Sequence, residues 1–171
     1  GQGPLVDKLE KVFSKKFANN LPSVAVGSGT DALHLAYILA GIKKDDEVIC
    51  PIFTCTATNI PFLYMGVKIK FADVQPDTLN LDPNHVRELM TENVKAIVCV
   101  HYGGLPCDMD ELQSIASEWG VPIIEDAAHM LIPGNGMGEN MTIFSPRKIL
   151  AIPECGILLV PKKDYQGDRK S

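Results

Sequence analysis

Residues 96–129 read AIVCVHYGGLPCDMDELQSIASEWGVPIIEDAAH, and their pattern decides the fold. Ala96–Val100 is a short apolar run, which predicts a strand. Asp108–Trp119 carries apolar residues at helical spacing and stops at Gly120, which predicts a helix with a glycine end. Pro122–Glu125 is a second apolar run, and it closes on Asp126. Strand, helix, strand is the unit of a parallel sheet covered by helices on both faces.

The alternation continues outward in both directions. Toward the N-terminus, Ser23–Val26 reads as a strand, and GSGT (27–30) opens a helix through Asp31–Ala40 that Gly41 ends. Glu47–Cys50 is a strand stopped by Pro51. Thr54–Met65 reads as a helix broken near Gly66, where Pro61 predicts a kink or a late start. Lys68–Ala72 is a strand. Asp82 caps a helix whose first residue is Pro83, running to about Met90. An amphipathic helix, Pro4–Phe17, opens the chain. Toward the C-terminus, Thr142–Phe144 and Gly156–Val160 are short strands, and Asp164–Ser171 is a polar tail. The predicted fold class is α/β: a three-layer sandwich around a mostly parallel sheet. Right-handed crossovers bring the strand C-termini to one edge, outside which such sheets bind ligands. GSGT, Pro51–Asn59 and Asp126 all fall on that edge.

Length and composition bound the function. The 171 residues suit one domain. A net charge of −5 argues against a nucleic-acid footprint. No apolar run is long enough to span a bilayer, and GQGPLVDKLEKVF (1–13) lacks a signal pattern. These features predict a soluble, cytoplasmic protein with no nucleic-acid or membrane partner. The cysteines Cys50, Cys55, Cys99, Cys107 and Cys155 are odd in number and contain no C-x-x-C. That spacing predicts reduced thiols and no metal site.

Three motifs carry chemistry. In Gly27-Ser28-Gly29-Thr30, glycine lets a ligand approach the backbone, and free N–H groups at a helix start favour an anion such as phosphate. The competing reading is a tight turn with a serine or threonine cap. The stretch also matches the dinucleotide fingerprint G-x-G-x-x-[GA]. Against that match, the acids Asp45, Asp46 and Glu47 stand at the start of the next strand and not at its end. Asp126 ends an apolar strand and is followed by small residues, so it could hold a cationic ring nitrogen. A magnesium ligand and a helix cap are the alternatives. Lys148 lies in an apolar stretch, where desolvation would make it a better amine nucleophile. The alternative is a lysine whose stem packs and whose head reaches water.

Four stretches in this order resemble the large domain of DegT/StrS-type aminotransferases: VGSGTDALHLAYILAGIKKDDEVICP (26–51), FADVQPDTLNLDPNHV (71–86), residues 96–129, and PRKILAIPECGILLV (146–160). These are pyridoxal-phosphate enzymes of fold type I that aminate nucleotide-linked keto-sugars. The resemblance covers nearly the whole chain and implies a role at each matching position. Gly29 and Thr30, with Ser28, would hold the cofactor phosphate. Asp126 would pair with the pyridine nitrogen. His129 would lie near the ring's phenolic oxygen. Lys148 would form the Schiff base and shuttle the proton. Glutamate is the usual amino donor, and the sites of such homodimers are closed by the neighbouring chain. The products serve cell-surface polysaccharide or secondary-metabolite sugar synthesis.

The chain departs from the family pattern at named positions. The aromatic that stacks on the cofactor ring is replaced by Cys55 in PIFTC (51–55), with Phe53 as the alternative. The serine five residues before the family's lysine is Ile143 here, with Ser145 nearer. The turn after the lysine, Pro153-Glu154-Cys155-Gly156, is poor in glycine. Residues 1–163 are expected to form the cofactor-binding large domain. The family's C-terminal small domain lies outside these residues. A non-catalytic relative acting as a binding or interaction protein is the second reading, and a dinucleotide-binding Rossmann domain the third.

Overall fold

The computed structural model describes residues 3–131 and 140–162. The tail 164–171 lies outside them. Helices α1 (Pro4–Phe17), α2 (Gly29–Leu39), α3 (Thr56–Met65), α4 (Pro83–Leu89) and α5 (Met109–Trp119) alternate with strands. The strands are β1 (Ser23–Val26), β2 (Glu47–Pro51), β3 (Lys68–Ala72), β4 (Val94–Val100), β5 (Ile123–Asp126), β6 (Met141–Phe144) and β7 (Gly156–Leu159).

They form one sheet of order β1-β7-β6-β5-β4-β2-β3. Neighbours from β6 across to β3 run parallel, and β7 is antiparallel to both β6 and β1. The sheet is therefore mostly parallel, as predicted. The C-termini of β1, β2, β4, β5 and β6 share one edge with the start of β7.

Successive residues of the central strands point to opposite helical layers. Val48, Cys50, Val98 and Ile124 pack under Leu33, Tyr37 and Phe62 of α2 and α3. Ile49, Ile97, Cys99 and Ile123 pack under Val86, Leu112 and Ile115 of α4 and α5. Phe13 of α1 covers Phe144, Ile157 and Leu159 on that second face. Burial on both sides explains why these strands are unbroken apolar runs in the sequence.

Element boundaries differ from expectation in explicable ways. Pro51 does not stop β2 but is its last residue, paired with Ala72. Helix α3 starts at Thr56, two residues late, and runs through a buried Pro61. Gly120 ends α5 at φ 65°, a conformation that favours glycine. Short 3₁₀ turns, Tyr102–Gly104 and Pro146–Lys148, follow β4 and β6. The dinucleotide reading fails on topology. That fold sets its first strand in the middle of the sheet, beside the second. Here β1 is an edge strand, held antiparallel by β7.

Candidate active site

Strand ends and one helix start enclose the site. Ser28 is the N-cap of α2: its Oγ accepts the Asp31 N–H at 3.1 Å, and its carbonyl accepts the Ala32 N–H at 3.1 Å. The N–H groups of Gly29 and Thr30 lie in the first helical turn, where the helix offers no acceptor. A capping hydroxyl still has its own hydrogen to donate. The cap and anion readings of this turn are thus compatible. Gly156 pairs with Val26, and a Cβ there would collide with the Ser28 carbonyl. Only a residue without a side chain lets β7 pass so close beneath the turn.

Two adjoining clefts open at this edge, of about 270 Å³ and about 120 Å³. Cys55, Asp126, Ala128 and Lys148 line both. The larger continues to Phe53, Tyr102 and His129. The smaller continues to Ser28, Gly29, Thr30, Ser145 and Arg147. Every candidate residue of the sequence reading is therefore at one cleft or the other.

Asp126 is 5% exposed and ends β5. Its Oδ1 accepts the Ala128 N–H at 3.1 Å, and its Oδ2 accepts the Thr58 hydroxyl at 2.9 Å. Burial pushes its carboxyl above the usual range, opposed by those two donors and by the charges of Lys148 and His129. His129 Nδ1 accepts the Gly103 N–H at 3.3 Å, and its Nε2 faces the Lys148 Nζ at 3.3 Å. Burial and the lysine's charge lower the pKa of this histidine, against the pull of Asp126.

Of the two readings of Lys148, the structure has the one whose head reaches water. Lys148 ends its 3₁₀ turn at the surface, and the apolar residues after it, Ile149, Leu150 and Ile152, are themselves exposed. Hydrophobicity in a short run does not say which way a loop folds. Arg147 pairs with Glu154 at 2.8 Å, both half in solvent.

The other departures also find their places. Cys55 stands at the N-cap of α3, at the junction of the clefts. Phe53 packs on Tyr102, with ring centroids 4.8 Å apart, and Tyr102 meets His129 edge-on at 5.9 Å. Ser145 is buried against Gly29, where a Cβ would meet its own Cβ at 3.2 Å.

Sequence reasoning gave no role to Tyr102, Thr58 or Ser145. Tyr102 follows a strand end, as His129 does, so attention to every strand end would have found it. Ser145 lies just before the lysine. Thr58 is fully buried and carries no local signal of its contact with Asp126, 68 residues away.

Known proteins share this sequence pattern and fold. The profile of the DegT/DnrJ/EryC1/StrS aminotransferase family matches residues 1–166. The structure of 3-amino-5-hydroxybenzoic acid synthase is 31% identical, with a TM-score of 0.88, over 96% of this chain and 45% of that one. DesI, solved in the presence of its TDP-sugar product, is 34% identical, with a TM-score of 0.84, over 96% and 43%. NtdA from Bacillus subtilis, with bound cofactor PMP, is 28% identical, with a TM-score of 0.86, over 95% and 38%. This chain spans less than half the length of each.

Proposed function

The chain belongs to the DegT/DnrJ/EryC1/StrS aminotransferase family, and from that premise we propose that its paired clefts bind pyridoxal phosphate for amino transfer to a nucleotide-linked keto-sugar. One observation carries the reading. Lys148 and Asp126 line the same two clefts, and the smaller cleft ends on the start of α2.

The residues fit the cofactor by their donor set. Asp126 is a buried carboxylate with an open side toward the cleft, suited to a protonated pyridine nitrogen. The Gly29 and Thr30 N–H groups and the Ser28, Thr30 and Ser145 hydroxyls suit a phosphate. Lys148 offers an amine to the aldehyde. Bound there, pyridoxal phosphate would supply the electron sink for charge developing on the amino donor.

The chain's own groups do the rest. Asp126 holds the ring nitrogen charged. Lys148 Nζ carries the proton to and from the donor carbon as general base and acid. His129, whose Nε2 lies on the cleft side next to Lys148, would stand beside the ring's phenolic oxygen. Phe53 and Tyr102 form an aromatic wall beside the Cys55 position. Glutamate is the proposed donor, and synthesis of surface polysaccharide or secondary-metabolite sugars the proposed setting. A homodimer is supported by exposed apolar side chains next to cleft residues, among them Ile52 at 63% and Ile149 at 45%. Buried free thiols at Cys50, Cys99 and Cys107 suit a reducing cytoplasm.

Borohydride reduction after addition of pyridoxal phosphate tests the reading. The cofactor's mass should be fixed to Lys148 in a peptide map, and Lys148→Ala should abolish it. A label elsewhere, or none, refutes the site. Cys55 in place of an aromatic favours the second reading, a non-catalytic relative. Wild-type function in the Lys148→Ala variant would establish it.

A further inference from the structure

Asp126 receives two hydrogen bonds of different origin. The Ala128 N–H is backbone, available to almost any sequence in this turn. The Thr58 hydroxyl is a side-chain choice, delivered from α3 by a fully buried residue. That hydroxyl also lies 2.9 Å from Thr54 Oγ1, and either oxygen could donate across the gap. An ionised carboxylate only accepts, so the Thr58 hydrogen goes to Asp126 Oδ2. Thr54 must then donate to Thr58. The result is a directed chain from Thr54 through Thr58 to Asp126.

A second tie fixes where this chain sits. The Thr58 carbonyl accepts the Tyr37 hydroxyl at 2.9 Å. Tyr37 is fully buried on α2, with its ring stacked on Phe62 of α3 at 3.9 Å between centroids. Helix α2 begins with Gly29 and Thr30, at the anion-binding end of the site. Helix α3 begins next to Cys55. Thr58 is therefore the point where the phosphate helix, the ring-facing helix and the carboxylate strand are tied by hydrogen bonds.

We propose that Thr58 is a positioning residue for the cofactor's ring nitrogen: oriented by Thr54 and anchored through Tyr37, it holds the Asp126 carboxylate charged and turned toward the cleft. Without that donor, Oδ2 would keep only its desolvation, and the carboxyl would favour its neutral form and other rotamers. The proposal rests on reading the cleft as a pyridoxal-phosphate site, and its test separates the two claims.

The first measurement needs no cofactor. Carboxyl carbon NMR follows the titration of Asp126 in this chain, in Thr58→Val and in Thr58→Ser. Thr58→Val should move the midpoint upward, and Thr58→Ser should return it toward the parent. An unmoved midpoint in Thr58→Val overturns the proposal. The second measurement compares binding of pyridoxal phosphate with binding of its analogue carrying carbon in place of the ring nitrogen. Thr58→Val should weaken the parent cofactor by about tenfold, the scale of a lost hydrogen bond to a charged group, and leave the analogue unchanged. Equal weakening of both ligands would mean a general packing role and overturns the proposal. If the unaltered chain binds neither ligand, the cofactor reading falls, while the carboxyl titration still decides what Thr58 does to Asp126.

Discussion

Glu125 and Asp126 are adjacent, both buried, and point to opposite faces of β5. On the α4–α5 face, Glu125 Oε2 meets His101 Nε2 at 2.9 Å, and Oε1 accepts from Asn140 Nδ2 at 2.7 Å. The other His101 nitrogen accepts the Cys107 N–H at 3.1 Å, which leaves the ring hydrogen on Nε2, aimed at Glu125. Both carboxylate oxygens and both ring nitrogens are answered by protein. On the α2–α3 face, Asp126 has Thr58 and a backbone N–H, and it also borders an open cleft shared with Lys148. A carboxylate whose partners are all internal joins strand ends together. One that borders a cleft beside a cation is equipped to receive a ligand.

The strongest way to break that contrast is to remove one partner on each face. His101→Ala leaves Glu125 buried with Asn140 alone, and should cost about 3–5 kcal/mol in urea unfolding. Asp126→Asn should keep the fold and lose retention of pyridoxal phosphate, followed by reductive labelling of Lys148. Equal losses of stability in the two variants would erase the distinction between a structural and a ligand-binding carboxylate.

The cleft side is stricter in its backbone than in its carboxylate. Gly156→Ala puts a methyl group into the Ser28 carbonyl, so β7 or the turn must shift. The expected loss is at least the roughly 1–3 kcal/mol of an overpacked interior, read as a lowered urea midpoint. A smaller effect should follow Ser28→Ala, which removes the cap on Asp31 N–H: about 1 kcal/mol of stability. The same variant should bind pyridoxal phosphate more weakly, since it loses one proposed phosphate donor. Unchanged affinity would leave Ser28 as a cap alone.

The contrast also explains what the sequence could reveal. Strands buried on both faces are apolar runs, and helix ends carry their own signals at Asp82 and Gly120, so most elements were legible. Strand order was not. Nothing local in Gly156–Leu159 says that it runs antiparallel between β1 and β6. The motif residues Ser28, Gly29, Thr30, Asp126, His129 and Lys148 were legible because a family pattern sets them in order. Thr58 and Tyr37 were not, because each acts across a contact between elements distant in sequence. The burial of Lys148 stayed open for a related reason: whether Ile149 and Leu150 turn inward depends on what covers them, and sequence spacing is silent on that.

The smallest expected effect is a slope. Burial raises the folded-state pKa of Asp126 above its unfolded value, near about 3.9. Between those two values the folded chain binds more protons than the unfolded chain, so stability falls as pH rises through the window and is level above it. Asp126→Asn has no such proton to lose. The stability of the parent relative to this variant should therefore decline from about pH 4 upward and then flatten, measured as paired urea midpoints. A rise in place of the decline would mean that Thr58, Ala128 and the nearby charges outweigh burial, and Asp126 would then resemble a satisfied structural carboxylate. Pyridoxal phosphate should abolish that decline, because a protonated ring nitrogen favours the charged carboxylate and moves its titration to below the unfolded value. A slope that the cofactor leaves untouched would show that the ring nitrogen does not reach Asp126.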